Sequence, residues 1–289
     1  MTIFVPAGNQ WLVSLTASTA LVKVVAFFAA WAALWLPLAT AIAMVLKWHP
    51  SKPLTTEQKL PLLASLYLIA PLILWGLSSI EGKSFSDYGL EGKLSFLVSV
   101  GLGLGLGVLS LIIAFTGQWS LGWVKSYWAN WQRLPKVLLP ILLLGIWIGG
   151  TEELIFRGFL INELRHEYLF WVAAVISSVI FALLHLIWEQ KNTLPQLPGL
   201  WFMGMVLVLA RWVDGGSLGL AWGVHSGWIW GLTCLQEAEL IAYTGKGPSW
   251  MTGWGNNPLA GVVGFLCLLG VGLLLLLLGH CRSFGDFCF

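Results

Sequence analysis

The sequence predicts an all-α, polytopic membrane protein with about eight transmembrane helices in one bundle. Three observations lead there. Hydrophobic residues make up 58% of the 289 and charged residues only 10%, whereas a soluble domain carries roughly 25% charge. The mean hydropathy is +0.83. Apolar runs of about 20 residues, enough to cross a bilayer, recur with only short polar breaks between them. No soluble domain is left over, so residues 1–289 read as a single transmembrane domain embedded in the lipid bilayer. The net charge of +2 comes without a basic patch interleaved with exposed aromatics, which excludes a nucleic-acid partner.

The spans fall at about 24–46, 60–79, 94–115, 138–162, 169–191, 198–213, 217–235 and 258–279. No basic residue precedes Lys23, unlike a cleaved signal peptide. The glycine run at 101–107 lies inside an apolar span with no strand before it. Glycines four apart there predict close helix packing rather than a phosphate loop. Between the third and fourth spans, Trp119, Trp123, Tyr127 and Trp131 recur among Lys125, Arg133 and Lys136, the pattern of a helix lying in the interface. The sixth and seventh spans are short and joined at Asp214-Gly215-Gly216, and 245–258 is turn chemistry throughout.

Lys47, Lys52, Lys59, Lys125, Arg133, Lys136, Lys191 and Lys246 flank the odd-numbered loops. Lys23, Lys83, Lys93, Arg165, Arg211 and Arg282 flank the other side. The positive-inside rule then places the odd loops in the cytoplasm and both termini outside. Cys234 and Cys267 fall in apolar segments, and Cys281 and Cys288 in the tail, so no disulfide framework or CxxC metal site is indicated. The last four residues, Asp286 to Phe289, do not form a prenylation box.

Charge inside a span is costly, roughly 2.5–3.5 kcal/mol at the bilayer centre, and is a functional signal by default. The stretch GTEELIFRGFL follows the apolar run VLLPILLLGIWIG and carries Glu152, Glu153 and Arg157. Glu153 and Arg157, four residues apart, share a helix face and can pair. Glu152 lies about 100° around the helix, with no evident local partner. A desolvated carboxylate of that kind suits proton transfer. His185 lies in the fifth span, four residues after Phe181, and His225 lies in the seventh, whereas His49, His166 and His280 sit near span ends.

With Pro140 as the first helical residue and about 1.5 Å of rise per residue, Glu152 lies roughly 18 Å from the odd-loop side. His185 and His225 lie roughly 10 and 15 Å from it, about one helical turn apart in depth. A carboxylate and two imidazoles at a common level can hold and deprotonate a water and stabilise an oxyanion. That chemistry hydrolyses an amide. Ser226 adjoins His225 but points to another face, and no GxSxG elbow is present. The hydrolytic mechanism needs no cofactor. A divalent metal such as zinc, held by Glu152, His185 and His225, is the alternative, although no HExxH occurs.

The motifs EExxxR at Glu152–Arg157, FxxxH at Phe181–His185 and a third opened by His225 together resemble the CPBP family of intramembrane proteases. That family includes the CAAX prenyl proteases and bacteriocin-immunity relatives. The resemblance covers about Pro140 to Gly231, within a catalytic core of about 138–279, and the eight spans agree with the family fold. It implies that Glu152 is the general base, activating water together with His185, and that His225 helps stabilise the oxyanion. Glu153, Arg157 and Phe181 then support the site, and the partner is a membrane-associated protein or peptide substrate. Prenyl proteases usually carry Asn four residues after the third-motif histidine. Here that position is Ile229, which leaves the indoles of Trp222 or Trp228 as substitute donors, or a weaker oxyanion hole. Two other readings compete with proteolysis: a non-catalytic scaffold or immunity-type binder of the same fold, and a proton-coupled transporter. The transporter ranks last because no inverted repeat is evident.

Overall fold

The computed structural model describes residues 18–49, 54–187 and 190–285. Lys52, Cys288, the carboxyl-terminal four residues and the segment preceding Lys23 up to residue 17 lie outside that description. Among the described residues eight long helices form the bundle: α1 (Ala20–Val45), α2 (Thr56–Glu81), α3 (Leu94–Ser120), α4 (Leu134–Glu152, continuing to Leu164), α5 (Phe170–Leu184), α6 (Leu197–Val213), α7 (Gly219–Glu237) and α8 (Val262–Gly285). Seven of the helices among the described residues are long and apolar enough to cross a membrane, so the protein is an integral, multi-pass membrane protein. The helix that falls short is α7. Its glycines, three tryptophans, His225 and Ser226 lower its hydropathy, and neighbouring helices rather than lipid cover it.

Local chemistry sets the ends of the helices. Thr55 and Gln58 form a reciprocal capping box at the start of α2, and Gly82, with φ of 67°, ends it. Pro198 sits in the first turn of α6, where its missing N–H is harmless. Positive-φ glycines at 215 and 216 turn the chain into α7. Helix α4 begins at Leu134 with Pro135 in its first turn, so Pro140 is an interior residue and not the start. Glu152 therefore lies about five turns along its helix from the interface end at Leu134.

Helix α7 packs most extensively on α3 and then on α4. Small residues allow this. A Cβ on Gly103 or Gly107 would strike the backbone of α7, and one on Gly223 or Gly227 would strike that of α3. Gly101 and Gly105, on the other face of α3, have nothing within 4 Å. The glycine run is thus a packing stripe, as expected, but only every second glycine serves it. Indoles then fasten α7 in place. Trp222 Nε1 donates to Ile146 O at 2.6 Å, Trp230 Nε1 to Leu138 O at 2.9 Å, and Trp228 Nε1 to Ser110 Oγ at 3.0 Å.

The interfacial helix expected between the third and fourth spans does not form. Helix α3 runs on through Trp119, and Gly122 with φ of 69° reverses the chain. Val124–Ser126 (β1) then pairs antiparallel with Ile241–Tyr243 (β2), and Trp128–Arg133 makes a 3₁₀ turn. The four-residue aromatic spacing is distributed over three elements, with the stacked Trp128 and Trp131 exposed. The turn-rich 245–258 loop holds only short helical turns, with positive-φ glycines at 245, 253 and 255.

Candidate functional site

The chain leaves α-helical geometry where its charges are. From Glu153 to Leu160 the fourth span is π-helical, and every residue of that stretch is buried. Single π turns inside long helices cluster at functional sites, because they redirect side chains and release backbone carbonyls. Two carbonyls of this stretch receive side-chain donors: Ser177 Oγ donates to Phe156 O at 2.7 Å, and Arg211 Nη1 donates to Arg157 O. Arg211, counted in the sequence only as a loop-flanking cation, is 9% exposed and braces the π-helical segment.

Glu153 and Arg157 pair as their spacing predicts, Nη1 to Oε1 at 3.0 Å, with both side chains essentially out of solvent. The guanidinium also stacks on Phe181, 4.4 Å from the ring centroid, and reaches Gly204 O at 3.3 Å. The same Glu153 Oε1 lies 2.8 Å from His225 Nδ1, and His225 Nε2 lies 3.5 Å from Glu152 Oε2. Glu152 therefore has partners after all, both supplied by other helices. Besides His225, the Tyr67 hydroxyl of α2 donates to its Oε1. Tyr67 is 8% exposed and was not legible as a site residue, since it sits in an ordinary apolar span.

His185 lies in the fifth span, as expected, but close to its end, where α5 tightens into a 3₁₀ turn. Its Nδ1 lies 2.8 Å from Phe181 O and can only donate to that carbonyl, which makes Nε2 the acceptor whenever the ring is neutral. Its ring packs edge-on against Phe181 at 4.6 Å, and His225 approaches the same phenyl at 5.9 Å. Among the described residues no hydrogen bond or ion pair joins His185 to Glu152. Among the described residues no three His, Cys, Asp or Glu side chains are grouped so as to hold a metal ion.

The two substitute oxyanion donors are already engaged. Trp222 is bonded to Ile146 O and Trp228 to Ser110 Oγ, so neither indole N–H is available at the site. Ile229 packs beside Gly145 of α4. Ser226 is fully buried against Gly149, its hydroxyl without a partner, which agrees with its pointing away from the carboxylates.

An ion-pair network fixes the other end of α4. Glu163, buried, meets Lys83 at 2.7 Å and Lys23 at 3.3 Å, while Glu81 meets the same two lysines at 2.6 and 2.9 Å. Burial pulls the Lys83 ammonium down, but hydrogen bonds to Glu163 and Glu81 outweigh it and hold the group above its ordinary range. The network ties α4 to α1 and α2, and α2 carries Tyr67.

Residues 134–231 match the family model described as type II CAAX prenyl endopeptidase Rce1-like. An uncharacterised 24.3 kDa protein of Escherichia coli is 33% identical over 89 residues, which span 30% of this chain and 40% of that relative's length. No solved structure matches the chain. The motifs around Glu152, His185 and His225 all fall inside the matched segment, and Tyr67 falls outside it. Residues 134–231 are thus similar to the Rce1-like family model, within an integral, multi-pass membrane protein.

Proposed function

We propose that this protein is an intramembrane endopeptidase that hydrolyses a peptide bond of a membrane-associated protein or peptide with a water activated by Glu152. The observation that carries the reading is the buried relay Glu152–His225–Glu153–Arg157, held at 3.5, 2.8 and 3.0 Å. With His225 as an imidazolium, charge alternates along it and sums to zero, the arrangement a low-dielectric interior tolerates best. Glu152 takes a proton from the water as its oxygen adds to the scissile carbonyl carbon. His185 Nε2 accepts the water's other O–H and orients it. The His225 Nε2–H, only loosely engaged at 3.5 Å, turns to the developing oxyanion. Collapse breaks the C–N bond, and Glu152 returns the proton to the leaving nitrogen.

Membranes containing wild type or Glu152→Gln, compared by proteomics of peptide termini, test the reading. Termini that appear only with wild type support it and identify the substrate. Identical termini in both sink it. A second reading, a non-catalytic binder of the same fold, draws on Ile229 and the two engaged indoles, which leave His225 without a visible partner donor. Biological activity that survives Glu152→Gln would favour it.

A further inference from the structure

We propose that Tyr67 is a positioning residue for the general base, a role that rests on the proteolytic reading above. A carboxylate that serves as a base needs one oxygen held and the other presented. Tyr67 donates to Oε1 of Glu152, while Oε2 is the oxygen that faces His225 at 3.5 Å. The phenol thereby decides which oxygen meets water. No other hydrogen bond to Oε1 is seen among the described residues, and backbone donors are not available to replace the phenol inside a regular helix.

Tyr67 is itself firmly placed. The adjacent carbonyl of Leu66 accepts from Trp31 Nε1 at 3.0 Å, and Ser65 Oγ, two residues before the tyrosine, accepts from Trp35 Nε1 at 3.1 Å. At the far end of α2, Glu81 joins the four-residue ion-pair network that also holds α4. The helix carrying the phenol and the helix carrying the carboxylate are thus fastened independently of their mutual bond. Such a bond presents the carboxylate already oriented, which is where enzymes gain most from a fixed hydrogen bond.

The test uses the full chain in liposomes with a library of membrane-anchored peptides, farnesylated and unmodified, read by mass spectrometry of the released termini. On the best-cleaved peptide, Tyr67→Phe is expected to lower kcat by roughly 10–100-fold, the worth of one hydrogen bond to a charged group, with KM within about twofold. Replacing Tyr67 with 3-fluorotyrosine, which keeps the donor and the ring, restores kcat. A lost ring contact would not be rescued in that way by the hydroxyl. An infrared difference spectrum of wild type minus Tyr67→Phe, with Glu152→Gln assigning the band, reads the bond directly without turnover. Full activity in Tyr67→Phe, or an unmoved Glu152 band, overturns the inference. A silent wild type with a shifted band fails the proteolytic reading and leaves the hold of Tyr67 on Glu152 established.

Discussion

His225 Nδ1 lies 2.8 Å from the same Glu153 oxygen that Arg157 contacts at 3.0 Å. One carboxylate oxygen thus bridges an imidazole on α7 and a guanidinium on its own helix. Arg157 holds Glu153, Glu153 orients the imidazole, and the second imidazole nitrogen lies 3.5 Å from Glu152. The Glu153–Arg157 ion pair and the Glu152 carboxylate are in this way parts of one buried assembly.

If Glu152 is the base, Glu152→Gln lowers the rate of peptide cleavage by roughly 10²–10⁴-fold while the protein stays folded. Glutamine keeps the length and still accepts from Tyr67. Cleavage assays on reconstituted protein, paired with thermal unfolding in detergent, check both halves.

Removing Arg157 leaves Glu153 buried beside only an imidazole. Arg157→Met is expected to destabilise the protein by roughly 3–5 kcal/mol, whereas the double variant Arg157→Met with Glu153→Leu recovers part of that loss. Thermal unfolding of the two variants in one detergent decides the matter. Equal losses would mean that the pair contributes packing rather than charge compensation.

The α3–α7 stripe makes a paired prediction. Gly223→Val drives a side chain into the backbone of α3 and abolishes stable folding, while Gly101→Val, with open space beside it, leaves stability within about 0.5 kcal/mol. Expression level and monodispersity on size exclusion read the contrast.

Ile229→Asn places an amide donor one helical turn beyond His225. Because one oxyanion donor is worth about 10²–10³ in rate, kcat is expected to rise at least tenfold. No gain in kcat, with folding intact, would show that the site already has its donors from elsewhere.

Several parts of this site could be read before any coordinates. The four-residue spacing of Glu153 and Arg157 implied their pairing, and the glycines at 103 and 107 implied a close neighbour, because helical periodicity converts spacing into a shared face. Tyr67 could not be found in that way. It lies 85 residues before Glu152 on a span that looks lipid-facing, and only packing brings the two together. The engagement of Trp222 and Trp228 was hidden for the same reason: an indole N–H has no partner until a neighbouring helix supplies one.

The sequence by itself determined that the chain lives in a bilayer, where its long spans lie, and which carboxylates and imidazoles fall inside them. These follow from composition and local periodicity, which act within one helix. Tertiary structure decided the rest: that the least apolar helix is the one enclosed by others, that the charged stretch widens into a π turn, and that His185 ends its helix. It also decided which oxygen of Glu152 meets Tyr67 and which lies toward His225. Each of these depends on groups far apart in the chain, and side chains commit to a partner only when packing excludes the others.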